Sequence, residues 1–130
     1  MLGPSPYSLS VPAFRFRAVA AAAGRAAIGG PREVLLAVLV AARLVAGALP
    51  AGGLSVAQRR ARADATRHWL GTIALPGVPK VALTRLVEAT AVGGLEAMAA
   101  ALTKVTDVTA PYLDRASRSE LESLGRTVRG

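Results

Sequence analysis

Residues 34–49 read VLLAVLVAARLVAGAL, the most apolar stretch of the chain. Leucine and valine fall on every side of the helical wheel, so a helix over 31–49 would have no solvated face. Such a helix lies either at the centre of a helical bundle or in lipid. A membrane span of about 20 residues would have to include Arg43 and Pro50, and an arginine at mid-span costs about 2.5–3.5 kcal/mol. The stretch therefore predicts a central bundle helix, with a single membrane span as the alternative.

The composition around this helix predicts an all-α protein. Hydrophobic residues make up 52% of the 130 residues and charged residues 18%, which excludes a fully disordered chain and fits one domain. Alanine, the strongest helix former, occurs in runs, whereas the aromatic residues that favour strands make up only 4%. We expect four to five helices in antiparallel hairpins, forming an Ala-rich bundle with a short C-terminal helix.

Glycine, proline and capping residues set the expected boundaries. The sequence predicts helices at about 12–28, 31–49, 55–72 and 79–107, and a short one from Ser117 or Ser119. The fourth has a weak point at Gly93-Gly94, and the third begins with a capping box formed by Ser55 and Gln58. Ser117 and Ser119 open two competing boxes, because Glu120 and Glu122 follow three residues later.

Three segments follow from these boundaries. Residues 1–12 form a Pro- and Ser-rich lead-in that we expect to be extended or mobile, since proline cannot donate a helical hydrogen bond. Residues 13–109 form the helical bundle, and residues 110–130 form a C-terminal segment with the short helix.

The apolar and amphipathic helices are the predicted contact surfaces. Alanine buries little area, so an Ala-rich core gains little hydrophobic free energy, and more apolar helix surface is present than one copy of the chain is expected to bury. We therefore expect contact with a membrane surface, with a protein partner or with a second copy. The predicted contact residues are Leu35, Leu39 and Arg43 in the apolar helix and Leu95, Met98 and Leu102 in the amphipathic one.

Positive charge suggests an alternative partner, nucleic acid. The 16 Lys and Arg exceed the 8 Asp and Glu, for a net charge of +8. Phosphate contact is the hypothesis for the arginines of the third helix, namely Arg59, Arg60, Arg62 and Arg67. At 100° per residue these arginines spread over more than half of the helical wheel, and Asp64 is placed to pair with Arg60, which favours an ordinary solvated face.

The amino-terminal region is basic throughout. No acid precedes Glu33, whereas Arg15, Arg17, Arg25 and Arg32 do. This composition is similar to an organellar transit peptide, and the alternative is a basic helix with Phe14 and Phe16 as an interfacial anchor. We expect a cytoplasmic location, peripheral or single-span at a membrane, with organellar targeting left open.

Motifs for catalysis are missing from the sequence. It contains no P-loop, GxGxxG or GxSxG motif, no cysteine, and a single histidine, His68. We expect a non-enzymatic protein without cofactor or metal. No family membership is identified. The carboxyl-terminal third, with its Ala-rich amphipathic stretch over 95–105 followed by SRSEL at 117–121, is similar to the phasins of polyester granules, but the run at 34–49 departs from them and no residue role is transferred.

Overall fold

A computed structural model describes residues 14–130. This part of the chain contains no strand and six α-helices, α1 (Arg17–Arg25), α2 (Pro31–Ala48), α3 (Val56–Leu70), α4 (Gly77–Val92), α5 (Leu95–Val108) and α6 (Arg115–Arg129). Short 3-10 turns lie at Pro50–Gly52 and Ala110–Tyr112. The predicted all-α bundle is confirmed, with six helices in the described part in place of the expected four to five.

Helix α2 lies at the centre of the bundle. It packs against each of the other five helices, and its leucines, valines and alanines are buried on several sides. A helix without a polar face has to be surrounded in this way to remove its apolar surface from water. Within residues 14–130 no helix combines the length and apolarity required for a membrane span.

The fourth predicted helix is divided into α4 and α5 at Gly93-Gly94. Both glycines are extended, and a Cβ atom on Gly93 would lie 2.8 Å from the carbonyl oxygen of Ala89. Only glycine allows the chain to turn this closely over the end of α4. The turn folds α5 back against α4, so one predicted helix of 79–107 becomes two packed helices.

The first helix begins later than expected, at Arg17. Phe16 adopts the left-handed conformation, with φ 53° and ψ 44°, which a helix cannot continue through. The Phe16 ring is buried and lies 6.0 Å from the ring of Phe14, centroid to centroid, so packing offsets the backbone strain. The predicted start near residue 12 and the predicted lead-in 1–12 lie outside the described residues.

The C-terminal helix α6 is longer than expected and starts at a different cap. The Asp114 carboxylate accepts a hydrogen bond of 2.7 Å from the backbone N–H of Ser117, so neither Ser117 nor Ser119 is the capping residue. Leu121 and Leu124 of α6 belong to the same buried cluster as Phe16. Residues 110–130 are therefore part of the bundle, and no break in the core separates them from residues 14–109.

Helix α1 takes its caps from two other helices. The Glu120 carboxylate of α6 accepts hydrogen bonds from the backbone N–H groups of Ala18 (3.0 Å) and Val19 (2.9 Å). The Arg32 guanidinium of α2 donates to carbonyl oxygens in the last turn of α1, those of Ala23, Gly24 and Ala26. Both charges have the sign that the helix dipole favours at their end.

Candidate functional site: an apolar groove with two arginines

Several helix termini meet at one end of the bundle. Leu54, which leads into α3, packs on Gly47 near the end of α2, where a Cβ atom would lie 2.8 Å from the leucine side chain. The Arg59 side chain of α3 donates to the carbonyl oxygens of Thr90 (3.0 Å) and Gly93 (3.3 Å) at the end of α4. We call this the groove end. It comprises Phe14, the C-terminal turns of α2, α4 and α6, and the N-terminal turns of α3 and α5.

An open groove of about 510 Å³ lies at the groove end. Small residues form much of its surface, including Ala46 and Gly47 of α2 and Gly52 of the 3-10 turn. Larger apolar side chains complete it, namely Phe14, Leu49, Leu95 and Val128. The volume is in the range of about 300–1,000 Å³ that small-molecule sites occupy. The groove is therefore large enough for an apolar chain to lie against the ends of α2 and α6.

Two arginines, Arg43 and Arg129, also line the groove. The Arg129 guanidinium donates to the hydroxyl oxygen of Thr103 on α5. The Arg43 guanidinium is exposed and has no hydrogen-bond or ion-pair partner within residues 14–130. An apolar groove with a cation that the fold does not use is suited to a ligand with an apolar body and an anionic end.

The structure divides the six predicted contact residues into two groups. Arg43 and Leu95 line the groove and are exposed. The other four lie in the chain's own core, where each is less than a tenth exposed, and are therefore not available to a partner: Leu35, Leu39, Met98 and Leu102. The expectation failed for these four because α2 and α5 are enclosed by neighbouring helices.

The arginines of α3 also divide into two groups. Arg59 bonds the end of α4, and Arg67 forms an ion pair of 2.6 Å with Asp64. Asp64 was expected to pair with Arg60, and pairs with Arg67 three residues later in its place. Arg60 and Arg62 are exposed and have no hydrogen-bond or ion-pair partner in the described part of the chain. Two of the four predicted phosphate contacts therefore serve the fold.

The amino-terminal arginines are divided in the same way. Arg32 caps α1, and Arg25 forms an ion pair of 3.3 Å with Asp114. Arg15 and Arg17 are exposed, without a hydrogen-bond or ion-pair partner among residues 14–130, and line a separate depression together with Phe14 and Glu120.

Ion pairs distinguish the two ends of the bundle. The pairs found among residues 14–130 are Arg25–Asp114, Asp64–Arg67 and Arg118–Glu122, and all three lie toward the end opposite the groove. At the groove end three exposed arginines have no such partner in the described chain, namely Arg43, Arg60 and Arg126. The acids nearest to them are Glu88, Glu96 and, one turn from Arg126, Glu122. Arginines that form no ion pair therefore lie around the groove.

Exposed apolar side chains lie at the groove end as well. Val92 ends α4 with 73% of its surface exposed, Val56 begins α3 with 59% exposed and Leu95 begins α5 with 45% exposed. Sequence reasoning selected only Leu95, because Val56 lies at a predicted helix boundary and Val92 lies beside the predicted weak point at Gly93-Gly94, where helical periodicity carries little information. The groove itself had no local signal in the sequence, since its walls come from four separate segments of the chain.

Within residues 14–130, no group of three or more His, Cys, Asp and Glu side chains is arranged to hold a metal ion. Comparison of the chain with family models, with curated proteins and with solved structures finds no match.

Proposed function

We propose that the protein is a non-enzymatic helical protein that attaches to an anionic lipid surface through the groove end. The observation that carries this proposal is the coincidence, at one end of the bundle, of exposed apolar side chains with arginines that have no acidic partner. Interfacial binding depends on both contributions, burial of apolar area and attraction to anionic headgroups.

The geometry supports this orientation. Val56, Val92 and Leu95 belong to helix termini, so their side chains are able to enter the headgroup region while the helices stay outside it. Arg43 and Arg126 lie within two turns of the same ends, at a depth suited to lipid phosphates. Each arginine near an anionic membrane surface contributes about 1 kcal/mol.

The opposite end supplies a natural comparison. Ile28, Val78 and Val81 are exposed there, at 75%, 66% and 53%. Two of the three ion pairs involve this end directly, Arg25–Asp114 and Asp64–Arg67. Lys80 and Arg115 are also exposed at this end without an ion-pair partner in the described chain, but the acids Glu33, Asp107 and Asp114 lie at the same helix ends. This more balanced charge favours anionic lipid less, which is why the proposal places contact at the groove end.

Vesicle flotation tests the proposal with the full-length chain. We expect the protein to float with vesicles of phosphatidylcholine and phosphatidylglycerol and to stay behind with vesicles of phosphatidylcholine alone. Arg43→Gln and Arg126→Gln should each lower vesicle affinity roughly fivefold. The double variant Val92→Ser, Leu95→Ser should weaken binding further, because it removes exposed apolar area from the contact.

The matched control is the double variant Val78→Ser, Val81→Ser, which removes similar apolar area from the other end. Equal losses in the two double variants would contradict the proposed orientation, and no flotation on anionic vesicles at low salt would contradict the function.

Nucleic acid remains the alternative prediction, supported by the exposed Arg60 and Arg62. Filter binding across a salt series tests it, since phosphate contacts make log K fall linearly with log salt. Binding of this kind that Arg60→Gln and Arg62→Gln weaken, in a protein that does not float on vesicles, would favour the alternative.

A further inference from the structure

The groove has properties that attachment to a surface does not require. Exposed valines and arginines are sufficient for a headgroup contact, yet a concave apolar volume of about 510 Å³ runs between the ends of α2 and α6. The small side chain of Ala46 forms part of its surface, and Gly47 and Gly52 allow Leu54 and the 3-10 turn to pack closely on the end of α2. A concave apolar site with a few placed polar groups is the general form of a small-molecule site.

The side chains that line the groove indicate which kind of ligand it binds. Its walls are mainly apolar, with Leu49, Leu95, Val128 and the ring of Phe14. Thr127 also lines the groove, and its hydroxyl donates to the carbonyl oxygen of Ser123. The charged side chains of the lining are Arg43 and Arg129. A ligand that satisfies both features has one flexible apolar chain and one anionic end.

We infer that the groove binds a single-chain anionic amphiphile, a long-chain fatty acid, with its alkyl chain along Ala46, Leu49 and Val128 and its carboxylate beside the guanidinium of Arg43. The inference concerns the same end of the bundle as the proposed function, but it needs no bilayer. Arg43 is the principal headgroup contact because its guanidinium bonds no other group in the described chain. Arg129 is a secondary one, since Thr103 already accepts one of its hydrogen bonds.

Isothermal titration with monomeric myristate, below its critical micelle concentration, tests the inference on the full-length protein. We expect one molecule bound per chain. Myristyl alcohol, with the same alkyl chain and a neutral end, should bind roughly tenfold more weakly, because it lacks a charge-assisted hydrogen bond. Arg43→Gln should lower the myristate affinity to about that of the alcohol and leave the alcohol affinity unchanged.

Two further variants separate the groove from a general charge effect. Arg85→Gln removes one positive charge from an exposed position of α4 outside the groove, and should leave myristate binding unchanged. Leu95→Ser shortens one groove wall and should weaken myristate and the alcohol alike. Circular dichroism melting confirms that each variant is folded.

Several results would overturn the inference. One is an Arg43→Gln variant that binds myristate as tightly as the unchanged protein, and another is a stoichiometry of several myristate molecules per chain. A dimer whose dissociation must precede binding would assign the groove to a second copy.

A result that contradicts the fatty-acid site is distinguishable from a result that contradicts lipid attachment. Flotation on anionic vesicles without myristate binding would leave lipid attachment standing and remove the fatty-acid site. Myristate binding without flotation would support the fatty-acid site and contradict lipid attachment.

Discussion

Arg59 shows how one arginine side chain stabilises the packing of two helices. Its guanidinium reaches from α3 to the last carbonyl groups of α4, which have no partner within their own helix. The side chain is partly buried, so water replaces these bonds less well than it would at the surface. Its neighbour Arg60 is exposed and makes no comparable bond within residues 14–130.

This difference between neighbours predicts a difference in stability. Arg59→Gln should lower the free energy of unfolding by about 1–2 kcal/mol, because it removes charge-assisted hydrogen bonds from a partly buried site. Arg60→Gln should change it by less than about 0.5 kcal/mol. Urea denaturation followed by circular dichroism measures both, and equal effects would show that the contact to α4 contributes nothing.

The same residues mark a limit of local reasoning. The capping box of Ser55 and Gln58 is confirmed, with hydrogen bonds of 2.8 and 3.1 Å, because its partners are three residues apart and need no tertiary information. The partner of Arg59 lies 31 residues away, so no spacing rule finds it. For Asp64, arginines lie within helical reach on both sides, and spacing alone does not choose between them.

Two glycines, Gly52 in a turn and Gly24 in a helix, have surroundings of opposite kinds. Gly52 lies in the 3-10 turn against the end of α2, where a Cβ atom would be 2.4 Å from the Gly47 carbonyl oxygen and 2.5 Å from that of Ala46. Gly24 lies in the last turn of α1, where a Cβ atom would meet nothing within 4 Å. Gly52 therefore permits the close approach of the turn to α2, whereas Gly24 leaves α1 without a side chain that would favour the helix.

Alanine substitution at these two glycines should therefore have effects of opposite sign. Gly52→Ala forces the turn away from α2 and should lower the free energy of unfolding by about 1–3 kcal/mol. Gly24→Ala should raise it by about 0.5–1 kcal/mol, since alanine restricts the unfolded chain and suits the helix. Thermal and urea unfolding measure both, and a Gly52→Ala protein as stable as the original would contradict the close packing of the turn on α2.

At the scale of elements, periodicity predicted the position of α2 and missed the separation of α4 from α5. A helix that is apolar on all sides lies at the centre of a bundle, because only there is its whole apolar surface removed from water. Two adjacent glycines are compatible with either a kink in one helix or a full reversal of the chain direction. Which of the two forms depends on the surface against which α5 packs. The groove was not predictable for the same reason, since its walls meet only after every helix is in place.

For the molecule as a whole, two capping carboxylates link stability to pH. The Gly30 amide, which donates to Glu33 at 2.8 Å, lowers the pKa of Glu33 below its ordinary 4.5. The Ser117 amide lowers the pKa of Asp114 below its ordinary 3.8 in the same way. Both groups bind a proton less readily in the folded chain than in the unfolded chain, so their contribution is complete above these ordinary values and is lost as pH falls through the lower folded values.

We therefore expect the free energy of unfolding to fall between about pH 5 and pH 3. The double variant Glu33→Gln, Asp114→Asn should be less stable at about pH 6 and should lose less stability on acidification. Urea denaturation at several pH values measures the slope. An unchanged slope in the double variant would assign the acid sensitivity to other carboxylates.

The capping of α1 at both ends by side chains of other helices has a consequence for folding during translation. This helix has nine residues, fewer than the 12–15 or so that an isolated helix needs to be stable in water. Arg32 is translated soon after it, whereas Glu120 follows the amide of Ala18 by 102 residues. The first amides of α1 therefore gain their capping carboxylate only after the intervening helices have been translated.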